Sequence, residues 1–455
     1  MDKKMIFNLP PCYQIKRVFV GICILILSIA AFAPYAHAQY DYIDITKPFL
    51  RKIPVAVPVF KAINRTGQES EIGIKGADIL SELLEFTGYF TMVDRKAFLV
   101  DPQQAEIVGT GINFKNWTVL GAELLVTSGV ALQDGILHIE LRLFDTFQQK
   151  LLVGKKYTGT PQDLRKIMLR FAGEIIFYLT GNRGIFDSKI AFISTGTGKK
   201  EINICDFDGH DVRQFTSHNS ITLFPAWSGD AQWIAYTSYV KGKPDLYIQH
   251  VKQKRGFVVA REGINSFPAW VPGRFELAAT LSFSGDQEIY LLSGEGKIIK
   301  QLTNSEGIDV SPTWSPDGKQ MAFVSRRAGS PQIYIKSMDT GNVRRLTFQG
   351  NYNTQPSWSP LGDKIVYSSM DRAGINISVI GVDGSGNVGL THNNKDNESP
   401  SWSPDGSMIV FSSTREGASR IYVMTAFGTD QRRLLSLPGE QSNPKWSPSV
   451  GDSGN

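Results

Sequence analysis

The chain has 455 residues, a length that suggests two or three domains. A formal charge of +5 and 42% hydrophobic residues exclude a strongly basic nucleic-acid-binding protein, and 43 glycines point to a globular fold with many turns. Three cysteines, two of them within the first 23 residues, exclude a disulfide-stapled scaffold.

In chain order, the first segment reads as an export signal. Lys3, Lys4, Lys16 and Arg17 precede an apolar run from Val18 to Ala33, and Ala36-His37-Ala38 follows. That layout predicts a secretory signal peptide over 1–38, cleaved between Ala38 and Gln39. The apolar run is short of the roughly 20 residues that span a bilayer. Ile22 is too bulky to make Cys23 a lipoprotein cleavage site. Removal of 1–38 leaves 44 Lys and Arg against 42 Asp and Glu, with Cys205 as the sole thiol, expected buried on a strand. The mature chain is expected to have no transmembrane segment and no nucleic-acid partner. Residues 39–50 (QYDYIDITKPFL) then form an arm that opens with Gln39, Tyr40, Asp41, Tyr42, Ile43 and Asp44.

Residues 51–182 predict a small α/β domain. KIPVAVPVF at 52–60 reads as a buried strand, 70–86 as an amphipathic helix stopped by Gly88, and 89–93 as a second strand. Three strands follow at 123–132, 136–144 and 150–157, the first two joined by an Asp134-Gly135 hairpin turn. A second helix is predicted from Pro161 to Leu179, capped by Thr160 and ended by Gly181.

From residue 183 the chain repeats. Pro-x-Trp occurs six times, at Trp227, Trp270, Trp314, Trp358, Trp402 and Trp446, with spacings of 43, 44, 44, 44 and 44. Each tryptophan is followed by a turn such as Ser315-Pro316-Asp317-Gly318, an apolar strand, an x-Ile/Leu-Tyr-type strand and a short outer strand. Four strands in about 44 residues is one propeller blade. The sixth repeat stops at Asn455, and its missing strands lie upstream at 189–195, 201–207 and 212–216. Residues 189–216 and 444–455 therefore predict one composite blade that closes the ring and leaves no open edge. The expected fold is an α/β N-terminal domain followed by an all-β six-bladed β-propeller over 183–455. The six tryptophans are expected to fill the wedges between blades.

The strand holding each Pro-x-Trp lies nearest the axis, so the loop leading into it sits at the channel mouth. Six such loops supply candidate partner-binding residues. They are His218 and Asn219; Ile264 and Asn265; Glu306 and Asp309; Asn351, Asn353 and Thr354; Asn394, Asp396, Asn397 and Glu398; and Gln441 and Asn443. Catalytic motifs are missing. GDSGN near the C-terminus resembles a protease phrase but has no partner histidine nearby, and no G-x-S-x-G or GxxxxGK[ST] is present. The histidines have no metal-ligand spacing. Asn394, Asp396 and Glu398 in one loop could touch a cation near the ring axis, but calcium takes six or more oxygens, which favours a solvated loop. Neither metal nor cofactor is expected.

The order of signal peptide, α/β domain and six SPDG…IAF…IY…RxLT repeats resembles the TolB family of the Gram-negative Tol-Pal system. The junction YLTGNRGIFDSKIAFIS at 178–194 is similar to the family's domain linker. The resemblance covers the whole mature chain. It implies a monomeric, non-enzymatic adaptor of the periplasm that supports outer-membrane integrity and cell division. It further implies a Pal-like lipoprotein bound through the propeller and a TolA-like inner-membrane protein bound through the arm, Gln39 to roughly Leu50. Two other readings stay open on the residues alone: an exported propeller enzyme with carboxylates in its channel, and a propeller that binds a small ligand or glycan.

Overall fold

The computed structural model describes residues 51–449 apart from Pro102, Ala105, Lys254, Ala373, Asn393 and Asn394. The signal segment, the Ala38–Gln39 bond and the arm residues Gln39, Tyr40, Asp41, Tyr42, Ile43 and Asp44 lie outside the described residues, as does Asn394.

The N-terminal part is a mixed sheet with strand order β3-β1-β4-β5-β6. Its strands are β1 (Ile53–Ala56), β2 (Lys61–Ala62), β3 (Phe90–Met92), β4 (Leu124–Gln133), β5 (Ile136–Asp145) and β6 (Lys150–Gly159). β1 runs parallel to both β3 and β4, whereas β4, β5 and β6 form an antiparallel meander. The run at 52–60 is not one strand as expected. Pro58 has no N–H for a ladder, so β1 stops at Ala56 and pairing with β4 resumes at β2. Asp134 and Gly135 take φ of 52° and 76°, the two positive values a tight hairpin between β4 and β5 requires.

Helix α1 (Gly67–Phe86) starts three residues before the expected Ser70, because Thr66 caps it by accepting the Glu69 N–H at 3.2 Å. Helix α2 (Leu164–Thr180) follows a single 3-10 turn at Pro161–Asp163, where Thr160 and Asp163 form a capping box. Both helices cover one face of the sheet. Ile72, Leu80 and Leu84 of α1 and Ile167, Phe171 and Ile175 of α2 join Val126, Val130 and Leu141 in one core. A smaller cluster of Phe114, Trp117, Leu125 and Phe144 closes the other face.

The rest of the chain is six four-stranded antiparallel sheets. Five are continuous in sequence. The sixth joins Gln441–Trp446 to Lys189–Ser194, Glu201–Asp206 and Arg213–Gln214. Each inner strand ends at its tryptophan, and the indole reaches into the seam with the preceding blade. Four indole N–H groups donate across the seam to a backbone carbonyl at 3.1 Å: Trp227 to Lys445, Trp270 to Ala226, Trp314 to Ala269 and Trp402 to Ser357. Trp358 instead donates to Gly362 in its own turn, and Trp446 donates to the Ser188 hydroxyl at 2.8 Å.

The turn after the tryptophan has a local reason as well. The Asp317 carboxylate accepts from the Ser315 hydroxyl at 2.6 Å and from the Lys319 N–H at 3.0 Å, while Gly318 takes a φ of 67°. The same serine–aspartate pairing recurs at Ser228–Asp230 and Ser403–Asp405.

The α/β domain packs on one face of the ring. Arg165 pairs with Asp208 at 2.6 Å, Lys52 pairs with Asp430 at 2.8 Å, and Arg432 donates to the Phe86 carbonyl. Phe86 and Phe186 both set their edges against Phe207. Residues 206–210 and 425–430 are turns that leave third strands of blades. In an antiparallel blade these turns share a face with the turns that leave inner strands. The loops leading into the inner strands therefore lie on the opposite face, clear of the α/β domain.

Candidate functional site

The inner strand places each residue by its offset from the tryptophan. The register slips in every inner hairpin just before the proline, as between Leu223 and Ala226 or Val310 and Thr313. The residue three before the tryptophan sits in that bulge with a positive φ in all six blades: Phe224, Phe267, Ser311, Gln355, Ser399 and Asn443. A bulge re-aims a side chain, and these six line the axial cavity together with the prolines that follow them and Lys445. The cavity measures about 70 Å³.

Its wall is two-sided. Phe224 and Phe267 of adjacent blades face each other with ring centroids 4.1 Å apart. On the polar side, Asn443 donates to the Ser399 hydroxyl at 2.8 Å, and the Ser399 N–H donates to Gln355 Oε1 at 2.8 Å. Hydrogen bonds thus pass from blade to blade around this part of the channel.

The expected mouth residues separate into three groups. Asn219, Glu306, Asn351 and Asp396 are exposed on the mouth loops. His218, Ile264, Thr354, Glu398 and Asn443 are half-buried. The His218 ring packs on Tyr236 and Tyr247, with Nδ1 2.7 Å from the Ser238 hydroxyl, and burial lowers its pKa. Burial raises the Glu398 carboxyl above the ordinary range, and the Asp396 charge adds to this.

The third group corrects the expectation from sequence. Asn265, Asp309, Asn353, Asn397 and Gln441 are fully buried and present nothing to a partner. Each stands five residues before a tryptophan, as the first inner-strand residue or next to it, and locks a seam. Asn353 donates to Gln332 Oε1 of the preceding blade at 2.8 Å and to the Gln349 carbonyl at 2.7 Å. Asn397 donates to Asn376 Oδ1 of the preceding blade at 3.3 Å and accepts from the Ser413 hydroxyl of its own blade at 2.8 Å. Asn265 donates to the Pro244 carbonyl of the preceding blade at 3.3 Å, and Gln441 Oε1 accepts from Arg420 of the preceding blade at 3.3 Å. Asp309 pairs with Arg327 of its own blade at 2.8 Å, and its N–H donates across the seam to the Gln287 carbonyl at 2.9 Å. Short polar side chains at strand starts satisfy backbone groups that loops leave over, so polarity there marks a lock rather than a surface.

Sequence reasoning missed the channel lining, Phe224, Phe267, Gln355 and Lys445. A fixed offset from the tryptophan was the available signal. It also missed Arg327 and Arg415, thirteen residues after Trp314 and Trp402. Arg327 lies over Phe323 and Tyr334, and Arg415 lies over Phe411 and Tyr422. From those stacks each reaches a seam residue, Asp309 or Asn397. Cys205 is buried and burial pushes its thiol far up, as fits a core residue. Among the described residues no group of three or more His, Cys, Asp or Glu is placed to hold a metal ion, and no helix is long and apolar enough to cross a membrane.

Residues 41–152 match the TolB amino-terminal domain, and residues 177–450 match the TolB beta propeller domain. The chain is 56% identical over 292 residues to the Tol-Pal system protein TolB of Desulfosudis oleivorans, a match covering 64% of this chain and 66% of that protein. It is 44% identical over 292 residues to a TolB homolog of Chlorobaculum tepidum, covering 63% and 65% respectively. These matches span just under two thirds of the relatives' length. The crystal structure of TolB from Acinetobacter baumannii superposes with a TM-score of 0.76 at 27% identity, covering 88% of this chain and 97% of that one. With its propeller matched over more than half its length, and its amino-terminal domain matched as well, the chain belongs to the TolB family.

Proposed function

We propose that this protein is a non-enzymatic adaptor of the Tol-Pal system in the periplasm. The channel-mouth face of the ring receives a Pal-type peptidoglycan-associated lipoprotein, and the arm at 39–50 receives a TolA-type inner-membrane protein. Through both it supports outer-membrane integrity and cell division. One observation carries the reading: the α/β domain occupies the face of third-strand turns, which leaves the opposite face, with Asn219, Glu306, Asn351 and Asp396 exposed, free to dock a protein. The size of the axial cavity argues against the small-ligand reading. At about 70 Å³ it is well below the ~300–1,000 Å³ of small-molecule sites.

The test is binding of the purified periplasmic domain of the Pal lipoprotein from the same envelope. Wild-type protein binds it, Glu306→Arg with Asn351→Arg abolishes binding, and Lys166→Glu on α2 leaves it intact. Equal binding by the mouth variant, or none by wild type, sinks the assignment. Deletion of 39–50 separately removes binding of the TolA-type protein and spares that of the lipoprotein.

A further inference from the structure

Five of the six residues that immediately precede the blade tryptophans are small: Ala226, Ala269, Thr313, Ser357 and Ser401. The sixth is Lys445. It lines the axial cavity, and every other described lining residue is uncharged. Among the described residues its ammonium has no hydrogen-bond or ion-pair partner, and burial lowers its pKa to about 8. Two other partly buried cations of the ring, both stacked on aromatic rings, are matched. Arg327 has Asp309 at 2.8 Å, and Arg415 has Gln431 Oε1 at 2.9 Å and Asn397 Oδ1 at 3.0 Å. A desolvated cation without a counter-charge is costly, and an anion entering beside it recovers that cost.

We propose that Lys445 makes the axial channel a receptor for one carboxylate, supplied by an acidic side chain of the protein that docks on the channel mouth. The cavity has room for a carboxyl on a short stem and not for a sugar or a nucleotide. The wall of the paired Phe224 and Phe267 rings suits the methylenes of an aspartate or glutamate, while Lys445 takes the charge and Asn443 offers a polar neighbour. The source of the carboxylate rests on the docking reading above. The anion site itself does not.

The experiment therefore has two arms. In the first, the exported full chain carries 13Cε-labelled lysine, and the Lys445 resonance is identified by its loss in Lys445→Met. Acetate replacing chloride at constant ionic strength moves this resonance saturably, and moves those of exposed lysines much less. A Lys445 resonance that moves no more than theirs overturns the site, and one that responds to inorganic phosphate but not acetate overturns the carboxylate assignment. In the second arm, the purified Pal domain binds Lys445→Met about 30-fold or more weakly than wild type. Equal binding to both proteins overturns the partner as source and leaves a site for free carboxylates. No binding to wild type defeats the docking reading, and the acetate arm then decides the site alone.

Discussion

Two sets of residues, five at the seams between blades and six on the axis, lie two positions apart on the inner strands. Both are largely polar, and their surroundings are opposite. The seam set, such as Asn353 and Asn397, is fully buried and hydrogen-bonds to the preceding blade. The axial set, such as Ser311 and Asn443, faces an open cavity from a bulged backbone. The bulge separates them. Without a register slip, side chains two apart on a strand share one face. With it, one set turns into the wall and the next into the channel. Seam residues should consequently answer to stability measurements, and axial and mouth residues to binding measurements.

The largest effect tests the seam at its apolar end. Trp402 packs with Val366 and Ile377 of the preceding blade and with Ile409 and Phe411 of its own, and its indole N–H donates to the Ser357 carbonyl. Trp402→Ala should destabilise the ring by about 3–5 kcal/mol in denaturant unfolding. A loss under about 1 kcal/mol would mean that the wedge is not a cohesive seam.

Asn353→Leu tests the polar end of a seam. It keeps the approximate size but removes the donors that reach Gln332 Oε1 and the Gln349 carbonyl. The expected cost is about 1–3 kcal/mol, because buried acceptors lose their partners. Affinity for the Pal domain should not change. A variant of wild-type stability that binds poorly would put Asn353 back at the interface and collapse the distinction between the two sets.

Glu398 sharpens the comparison through pH. It immediately follows a seam residue, and burial, with the Asp396 charge, holds its carboxyl above the ordinary range. Between the ordinary carboxylate pKa and that raised value, the folded protein keeps a proton that the unfolded chain releases. Stability therefore falls as pH rises through this window. Glu398→Gln removes that part of the slope and should raise the neutral-pH melting temperature by about a degree or two, with no gain below the window. Glu288, also raised by burial, keeps a slope of the same sign in the variant. A lower melting temperature at neutral pH would mean that ionised Glu398 is stabilised by its surroundings.

Much of this architecture was legible in the sequence because the ring repeats. A tryptophan every 43 or 44 residues fixes the blade count, and the truncated sixth repeat places the closing sheet across the two ends of the propeller. The α/β domain was legible where periodicity was strong, as in α1, and less so at 52–60, where an apolar run concealed the break at Pro58. The site was read less well. Asn, Asp and Gln near strand starts look like solvated loop residues. Only the register shows that one position of the pair is sealed in a seam while the next faces the axis. Phe224 and Phe267 failed as signals for the converse reason: apolar residues beside Pro-x-Trp look like core, yet both line the cavity.

The smallest effect tests the bulge itself. Ser311 holds a φ of 54°, in the left-handed region where an L side chain costs roughly 1–2 kcal/mol and glycine costs nothing. Among the described residues its hydroxyl makes no hydrogen bond, in contrast to Ser399 in the same position of another blade, which accepts from Asn443. Ser311→Gly should relieve the backbone while giving the unfolded chain more freedom, which returns about 0.4–1 kcal/mol. The net gain should be positive but below about 1 kcal/mol, whereas Ser399→Gly, which breaks the channel's hydrogen-bonded arc, should gain less or lose. Paired unfolding curves of the two variants decide the point. If both change stability equally, the arc from Gln355 to Asn443 contributes nothing and the polar side of the channel is held by backbone geometry alone.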